Sequence, residues 1–133
     1  MCWVSKIKPV KQYAYDDIVV YKVLIEWEGV LCSPYVLSFT WKLNTIYESN
    51  LNYPELHIKR FSRGLTYPFR YEIYEGFHSC AKDYTLNEYY LVIMNAHPSA
   101  EIYECIIPKG SYYYKNSRGE YVSDKLIIKN NLI

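Results

Sequence analysis

The segment YEGFHSCAKD, residues 74–83, places several chemically capable side chains side by side. If it forms a strand, His78 and Cys80 share one face and Ser79 points to the other. A thiol or hydroxyl near an imidazole can serve nucleophilic catalysis, and His78 with Cys80 can supply two zinc ligands. The sequence has neither a matching second ligand pair nor a G-x-S-x-G, P-loop or G-x-G-x-x-G motif. We therefore predict no metal site, no cofactor and no catalytic residue, with a small enzyme using His78 and Cys80 as an alternative.

The same segment has a non-catalytic interpretation. Gly76 permits a bend, and the GFHSC strand end then lines a cleft in which His78 or Ser79 offers hydrogen bonds to a ligand. The competing interpretation is a buried histidine bonded to the backbone. We predict His78 and Ser79 as ligand-binding residues.

The segment HIKRFSRG, residues 57–64, surrounds an aromatic ring with basic side chains, among them Arg60 and Arg63. Guanidinium groups suit phosphate, and a neighbouring aromatic ring can stack on a base. The alternative is a solvated loop whose charges serve solubility. We predict that Arg60 and Arg63 contact a ligand.

The segment IPKGSYYYKNSRGEY, residues 107–121, again combines basic and aromatic residues. Lys109 and Ser111 flank a glycine turn, and three consecutive tyrosines follow. In a strand, Tyr112 and Tyr114 share one face, so that one face can be core while the other binds. We predict Lys109, Ser111 and Tyr112 as ligand-binding residues.

Tyrosine is unusually frequent, at 17 of 133 residues. One explanation is codon bias, because Tyr, Ile, Asn and Lys are plentiful together in proteins of AT-rich genomes. The other is a binding surface, since tyrosine offers a large rigid face and a hydroxyl at little entropic cost. Both explanations stay open.

Length and charge narrow the class of protein. A chain of 133 residues fits a single domain, 1–133, and its net charge of +1 argues against non-specific nucleic-acid binding. No apolar run reaches the roughly 18 residues of a membrane span, and the N-terminus lacks the apolar segment of a secretory signal. The four cysteines form no C-x-x-C pair. We predict reduced thiols, a cytoplasmic location and no membrane association.

Residue patterns predict an α+β, mainly β fold with six to eight antiparallel strands. Thr85 and Glu88 form a capping box, and helical spacing up to Pro98 predicts one helix over 85–96. Residues 1–17 are expected to form an irregular arm, and residues 50–66 a long loop. Apolar runs and alternation predict strands over 18–29, 34–43, 45–49, 67–77, 100–107 and 120–129.

The chain resembles small uncharacterised proteins of bacteriophages and gut Bacteroidales along nearly its whole length. These share a YKV strand, a W-x-L-x-x-x-Y segment, a GFHAC-like motif and a final strand similar to VSDKIII. The corresponding positions here include Gly76 to Cys80 and Val122 to Lys125. The resemblance implies a phage or prophage accessory protein and no particular chemistry.

A remoter resemblance is to the ADP-ribosyltransferase fold. That fold has a Tyr-Arg strand, a GF-x-S-T-S strand, a helix, a VPKG hairpin and a Glu-bearing strand, in the order of YK, GFHSCAKD, 85–96, IIPKGSYYY and SDKLII here. Lys22 stands where the cofactor-clamping arginine is expected, and Asp124 or Lys125 stands in place of the catalytic glutamate. The resemblance implies a nucleotide-shaped cleft without transferase chemistry, in which Lys22 and Lys125 contact the ligand.

These observations lead to three expectations about function. The first is a phage-type protein that binds and sequesters a small nucleotide-like ligand, such as a host-defence signalling nucleotide, in the host cytoplasm. The second is a protein-interaction module that inhibits a host protein through its tyrosine-rich surface. The third is the small enzyme named above. A homo-oligomer is compatible with each.

Overall fold

The computed structural model describes residues 3–5, 7–33, 36–51, 54–57, 70–73, 75–82 and 90–131. Among these residues are thirteen strands and one helix, α1 (Tyr90–Ala96). No helix in these ranges is long and apolar enough to cross a membrane. The strands are β1 (Trp3–Ser5), β2 (Gln12–Tyr13), β3 (Ile18–Trp27), β4 (Val30–Ser33), β5 (Val36–Trp41), β6 (Ile46–Glu48), β7 (Glu55–His57), β8 (Arg70–Ile73), β9 (Phe77–Cys80), β10 (Glu101–Ile107), β11 (Tyr112–Lys115), β12 (Glu120–Ser123) and β13 (Lys125–Asn131).

The predicted mainly β fold with antiparallel pairing and one helix is confirmed, but six to eight strands was too few. The arm contains β1 and β2, and the predicted long loop contains β7. The run expected over 120–129 is divided at Asp124, because β12 and β13 pair with different neighbours. Helix α1 matches the second half of the predicted helix, whereas 85–89 lies outside the described residues.

The larger sheet has the order β2-β11-β12-β9-β3-β10-β13-β6. In addition, β4 pairs with the C-terminal end of β3, and β5 pairs with β4. Only Asp124 separates β12 from β13 in sequence, yet β9, β3 and β10 lie between them in the sheet. In a flat sheet, four strand spacings would separate them by about 19 Å, whereas one residue spans about 3.5 Å. The sheet therefore curls. Leu43, just beyond β5, bridges Ile128 of β13 and brings the β4–β5 hairpin over the concave side.

Apolar side chains on the two faces of this sheet form separate clusters. The concave interior, as we call the first, holds Ala14, Val20, Leu24, Trp41, Cys105, Ile107, Tyr121, Leu126 and Ile128. On the convex face, helix α1 packs through Ile93 against Val23, Ile25 and Ile102. Alternation along β3 explains the division, because successive side chains of a strand point to opposite faces.

The second sheet, β1-β8-β7, packs against β11 and β12 through what we call the arm interface: Trp3, Ile73, Tyr114 and Val122. Trp3 is fully buried, and its indole N–H donates to the Glu120 carbonyl oxygen at 2.9 Å. Burial of this one large side chain fixes the start of the predicted irregular arm to the body of the protein.

Gly76 provides the bend expected between β8 and β9. Its φ of 120° lies in a region that favours glycine. A Cβ at this position would lie 2.7 Å from Val122 Cγ2 and 2.9 Å from Leu51 Cδ1. Both backbone conformation and space therefore require glycine here.

Candidate functional site

A row of polar side chains crosses the concave interior. Tyr103 of β10 pairs with Lys22 of β3 on one side. On the other side Tyr21 pairs with Cys80, so the antiparallel register puts Lys22 opposite Ser79 of β9. Directly opposed residues share a face of the sheet, and Lys22 therefore projects among the apolar residues of the concave interior.

The Lys22 ammonium group has few partners in this interior. Its Nζ donates to the His78 carbonyl oxygen at 2.7 Å and lies 5.7 Å from the centre of the Trp41 ring. Within the described ranges no carboxylate pairs with it. Desolvation lowers the pKa of Lys22, although the sulfur atoms of Cys105 and Cys80 act in the opposite direction. Lys22 is partly buried, and the result is a partly desolvated cation whose charge is not balanced by a described acidic group.

Two further polar groups in the same interior lack hydrogen-bond partners among the described residues. Trp41 is 6% exposed and its Nε1 donates to no acceptor, while Ser79 is 1% exposed and its Oγ has no partner. A buried N–H or O–H without a partner is unfavourable by about 1 to 3 kcal/mol. Lys22, Trp41 and Ser79 therefore form a cluster of hydrogen-bond donors with a single main-chain acceptor, and we call it the donor cluster.

The Cys105 thiol completes the surroundings of Lys22. It is fully buried, and desolvation raises its pKa to about 12, with the nearby Lys22 opposing the shift. The thiol is consequently neutral at physiological pH and does not balance the Lys22 charge. Its Sγ donates weakly to the Tyr103 carbonyl oxygen at 3.5 Å.

An open groove of about 430 Å³ lies at the end of the interior where the β4–β5 hairpin meets β10. Trp41 and Tyr103 belong both to this groove and to the surroundings of Lys22. Glu26 and Lys42 add one charge of each sign, and desolvation, with Glu101 and Glu26 contributing, raises the pKa of Tyr103. The groove is lined by Glu26, Gly29, Val30, Leu31, Thr40, Trp41, Lys42, Leu43 and Tyr103.

The structure brings together three of the predicted ligand-binding residues, Lys22, His78 and Ser79, but not in the way the sequence indicated. His78 reaches the donor cluster only through its carbonyl oxygen, because its side chain shares a face with Val122 on the other side of the sheet. His78 and Cys80 share that face as expected, and Cys80 is buried. In the described parts of the chain, no group of three or more His, Cys, Asp or Glu side chains could hold a metal ion.

The other predicted residues lie elsewhere. Ser111 is fully buried and its hydroxyl donates to the Pro108 carbonyl oxygen, so it serves the turn. In the same turn the Lys109 side chain is exposed, and the main-chain N–H of Lys109 donates to Asp17 Oδ1. Lys125 opens β13 opposite Glu48. Arg60 and Arg63 lie outside the described residues.

Tyr112 belongs to an exposed aromatic cluster at the edge of the larger sheet. The Tyr13 ring lies 5.4 Å from the Tyr112 ring and 5.0 Å from the Tyr15 ring. Lys11 Nζ lies 5.0 Å from the centre of the Tyr112 ring. Tyr15 is 77% exposed and the other two rings about 40%. We call Tyr13, Tyr15 and Tyr112 the tyrosine cluster.

Trp41 and Tyr103 were not predicted as site residues. Each lies in a segment with ordinary strand alternation, and nothing in the local sequence separates a groove-lining aromatic from a core one. The sequence signal that could have pointed to this site was the positively charged residue within the apolar run VVYKVLI, because a lysine in a strand of otherwise buried side chains calls for an explanation.

Comparisons of the chain with protein-family models, with curated proteins and with solved structures give no match.

Proposed function

We propose that this protein binds a small anionic ligand of the nucleotide type at the donor cluster and the adjoining groove. The observation that carries the proposal is Lys22, a desolvated cation that pairs with no carboxylate among the described residues. An anionic oxygen would balance its charge and could accept from Trp41 Nε1 and Ser79 Oγ as well.

The groove supplies the second part of such a site. Its volume falls within the range of small-molecule pockets, and the Trp41 and Tyr103 side chains offer aromatic surface for a base. Lys42 adds a second positive charge beside the groove. A phosphate near Lys22 and a base against Trp41 would together use the features that the fold leaves unsatisfied. That the ligand is a host-defence signal sequestered by a phage protein stays a prediction from the resemblance.

The test combines ligand release with thermal stability. Purified protein is denatured and the released small molecules are identified by mass spectrometry, and the melting temperature is measured with AMP, ADP, ATP and cyclic nucleotides. A ligand at one hundred times its Kd should stabilise the wild type by about 2.7 kcal/mol. Lys22→Met should lose this stabilisation, whereas Lys8→Met, which removes an exposed lysine outside the groove, should keep it. If no nucleotide is released or stabilises the protein, or if Lys22→Met responds like the wild type, the proposal is wrong.

The tyrosine cluster favours a second candidate function, inhibition of a host protein. Exposed tyrosine rings with a nearby lysine have the composition of protein-interface hot spots. The double variant Tyr15→Ser and Tyr112→Ser should lose capture of a host protein from lysate and keep any nucleotide-induced stabilisation. Equal capture by the wild type and the double variant would contradict this function. The enzyme that uses His78 and Cys80 stays a prediction.

A further inference from the structure

We infer that Lys22 is a nucleophilic amine that forms an imine with small aldehydes or ketones entering from the groove. The inference goes beyond the proposed function, because it concerns the reactivity of the neutral amine rather than the charge of the ammonium group. Its basis is the geometry of the donor cluster.

The first step of the argument is the state of the amine. Lysine in water is protonated at neutral pH and has no lone pair to donate. The Lys22 side chain projects into the apolar concave interior and, among the described residues, meets no carboxylate that would hold the proton. Desolvation lowers the pKa of Lys22, so a larger fraction of its amine is neutral at pH 7 than in a lysine exposed to water.

The second step concerns the groups around the amine. Imine formation is accelerated by donors that stabilise the carbonyl oxygen as negative charge develops on it. Trp41 Nε1 and Ser79 Oγ are buried donors without acceptors among the described residues, and both lie on the Lys22 face. Lys22 itself does not line the groove, but Trp41 does, and the centre of the Trp41 ring lies 5.7 Å from Lys22 Nζ.

The reaction balances without a further reagent. The Lys22 nitrogen lone pair attacks the carbonyl carbon, a C–N bond forms, and the oxygen takes the proton lost by nitrogen to give a carbinolamine. The C–O bond then breaks, and the hydroxyl leaves with the second nitrogen proton as water. The products are one imine and one water molecule, and no atom changes its oxidation state overall.

The test is reductive trapping on the wild-type chain. Glycolaldehyde and sodium cyanoborohydride are added at pH 7, and modification of each lysine is followed by peptide mass spectrometry, with circular dichroism to confirm that the protein stays folded. Lys22 should be modified faster than exposed Lys8, because desolvation lowers the pKa of Lys22 and leaves more of its amine neutral at pH 7. Modification of Lys22 no faster than that of Lys8 overturns the inference.

A charge-preserving variant separates this inference from the proposed function. Lys22→Arg keeps a cation but has no amine that forms an imine. It should lose trapping at position 22 and retain stabilisation by any nucleotide that stabilises the wild type. Trapping in the wild type without a nucleotide effect would leave the amine chemistry standing and refute nucleotide binding. Stabilisation by a nucleotide without trapping at Lys22 would support nucleotide binding and refute the amine chemistry.

Discussion

The concave interior and the arm interface both bury polar groups, but they differ in how many of these groups have hydrogen-bond partners. In the arm interface, Asn116 Nδ2 donates to Val4 O and Glu120 Oε1, and its Oδ1 accepts from the main-chain N–H groups of Arg118 and Glu120. In the concave interior, Trp41 Nε1 and Ser79 Oγ lack partners among the described residues and Lys22 has one acceptor. Complete networks stabilise a fold, whereas incomplete ones are retained at a cost. The contrast assigns a structural role to the first region, and it is the reason for proposing that the second region binds a ligand.

The largest expected effect is at Gly76, which borders the arm interface. Gly76→Ala should destabilise the protein by about 3 to 5 kcal/mol, since the new Cβ meets Val122 and Leu51 and the backbone has a φ of 120°. Gly29→Ala is the matched control: φ is 80°, but no atom lies within 4 Å, so about 1 kcal/mol from backbone strain alone is expected. Urea unfolding measures both, and equal losses would contradict the crowding at Gly76.

The next effect tests whether the arm-interface network is structural. Asn116→Ala should lower the free energy of unfolding by about 3 kcal/mol, because it leaves the buried Glu120 carboxylate and two main-chain N–H groups without their partner. Asn130→Ala, at an exposed position of β13, should change it little. The same urea titration measures both variants. A loss below 1 kcal/mol for Asn116→Ala would show that water replaces the network.

In the concave interior, we expect a substitution to raise the free energy of unfolding instead of lowering it. Lys22→Met should raise the free energy of unfolding at pH 7 by about 1 to 2 kcal/mol, since it replaces a desolvated charge with an apolar side chain. The pKa of Lys22 is lowered on folding, so the unfolded chain binds more protons at this residue, and the Lys22 contribution to wild-type stability rises with pH up to the unfolded value near 10.5. The advantage of Lys22→Met should therefore shrink as pH rises. Unfolding at pH 7 and pH 10 measures it, and a destabilised Met variant would contradict a functional role for the charge.

Cys105 should make the folded protein less stable as pH rises, which is the reverse of the effect of Lys22. Folding raises its pKa from 9.0 to about 12, so the unfolded state loses its proton first and stability is lost as pH rises through this range. The loss amounts to about 1.4 kcal/mol per pH unit above 9. Cys105→Val should remove this part of the alkaline destabilisation and leave stability near pH 7 almost unchanged. Thermal melts between pH 8 and pH 11 compare the two proteins, and parallel curves would mean that the thiol is not desolvated.

The sequence predicted local features of both regions better than their assembly. Apolar runs and alternation located strands such as β3, β5 and β10 but missed β1, β2, β4 and β7, and Gly76 was expected at the bend where its φ is positive. Register across β9, β3 and β10 decides that Ser79, Lys22 and Tyr103 form one row, and these residues are up to 81 positions apart in the chain. Local propensity contains no information on such pairing. The division of the last strand at Asp124 likewise follows from neighbours that the segment itself does not specify.

The smallest effect compares two buried serines, one from each kind of environment. Ser111 donates its hydroxyl to the Pro108 carbonyl oxygen, whereas the Ser79 hydroxyl has no partner among the described residues. Ser111→Ala should therefore cost about 1 kcal/mol, and Ser79→Ala should stabilise by a similar amount, because it removes a polar group that is buried without compensation. Both serines are at most 1% exposed, so loss of size contributes equally and the difference isolates the hydrogen bond. Urea unfolding of both variants gives that difference, and equal destabilisation would show that Ser79 is satisfied in solution and is no part of a binding site.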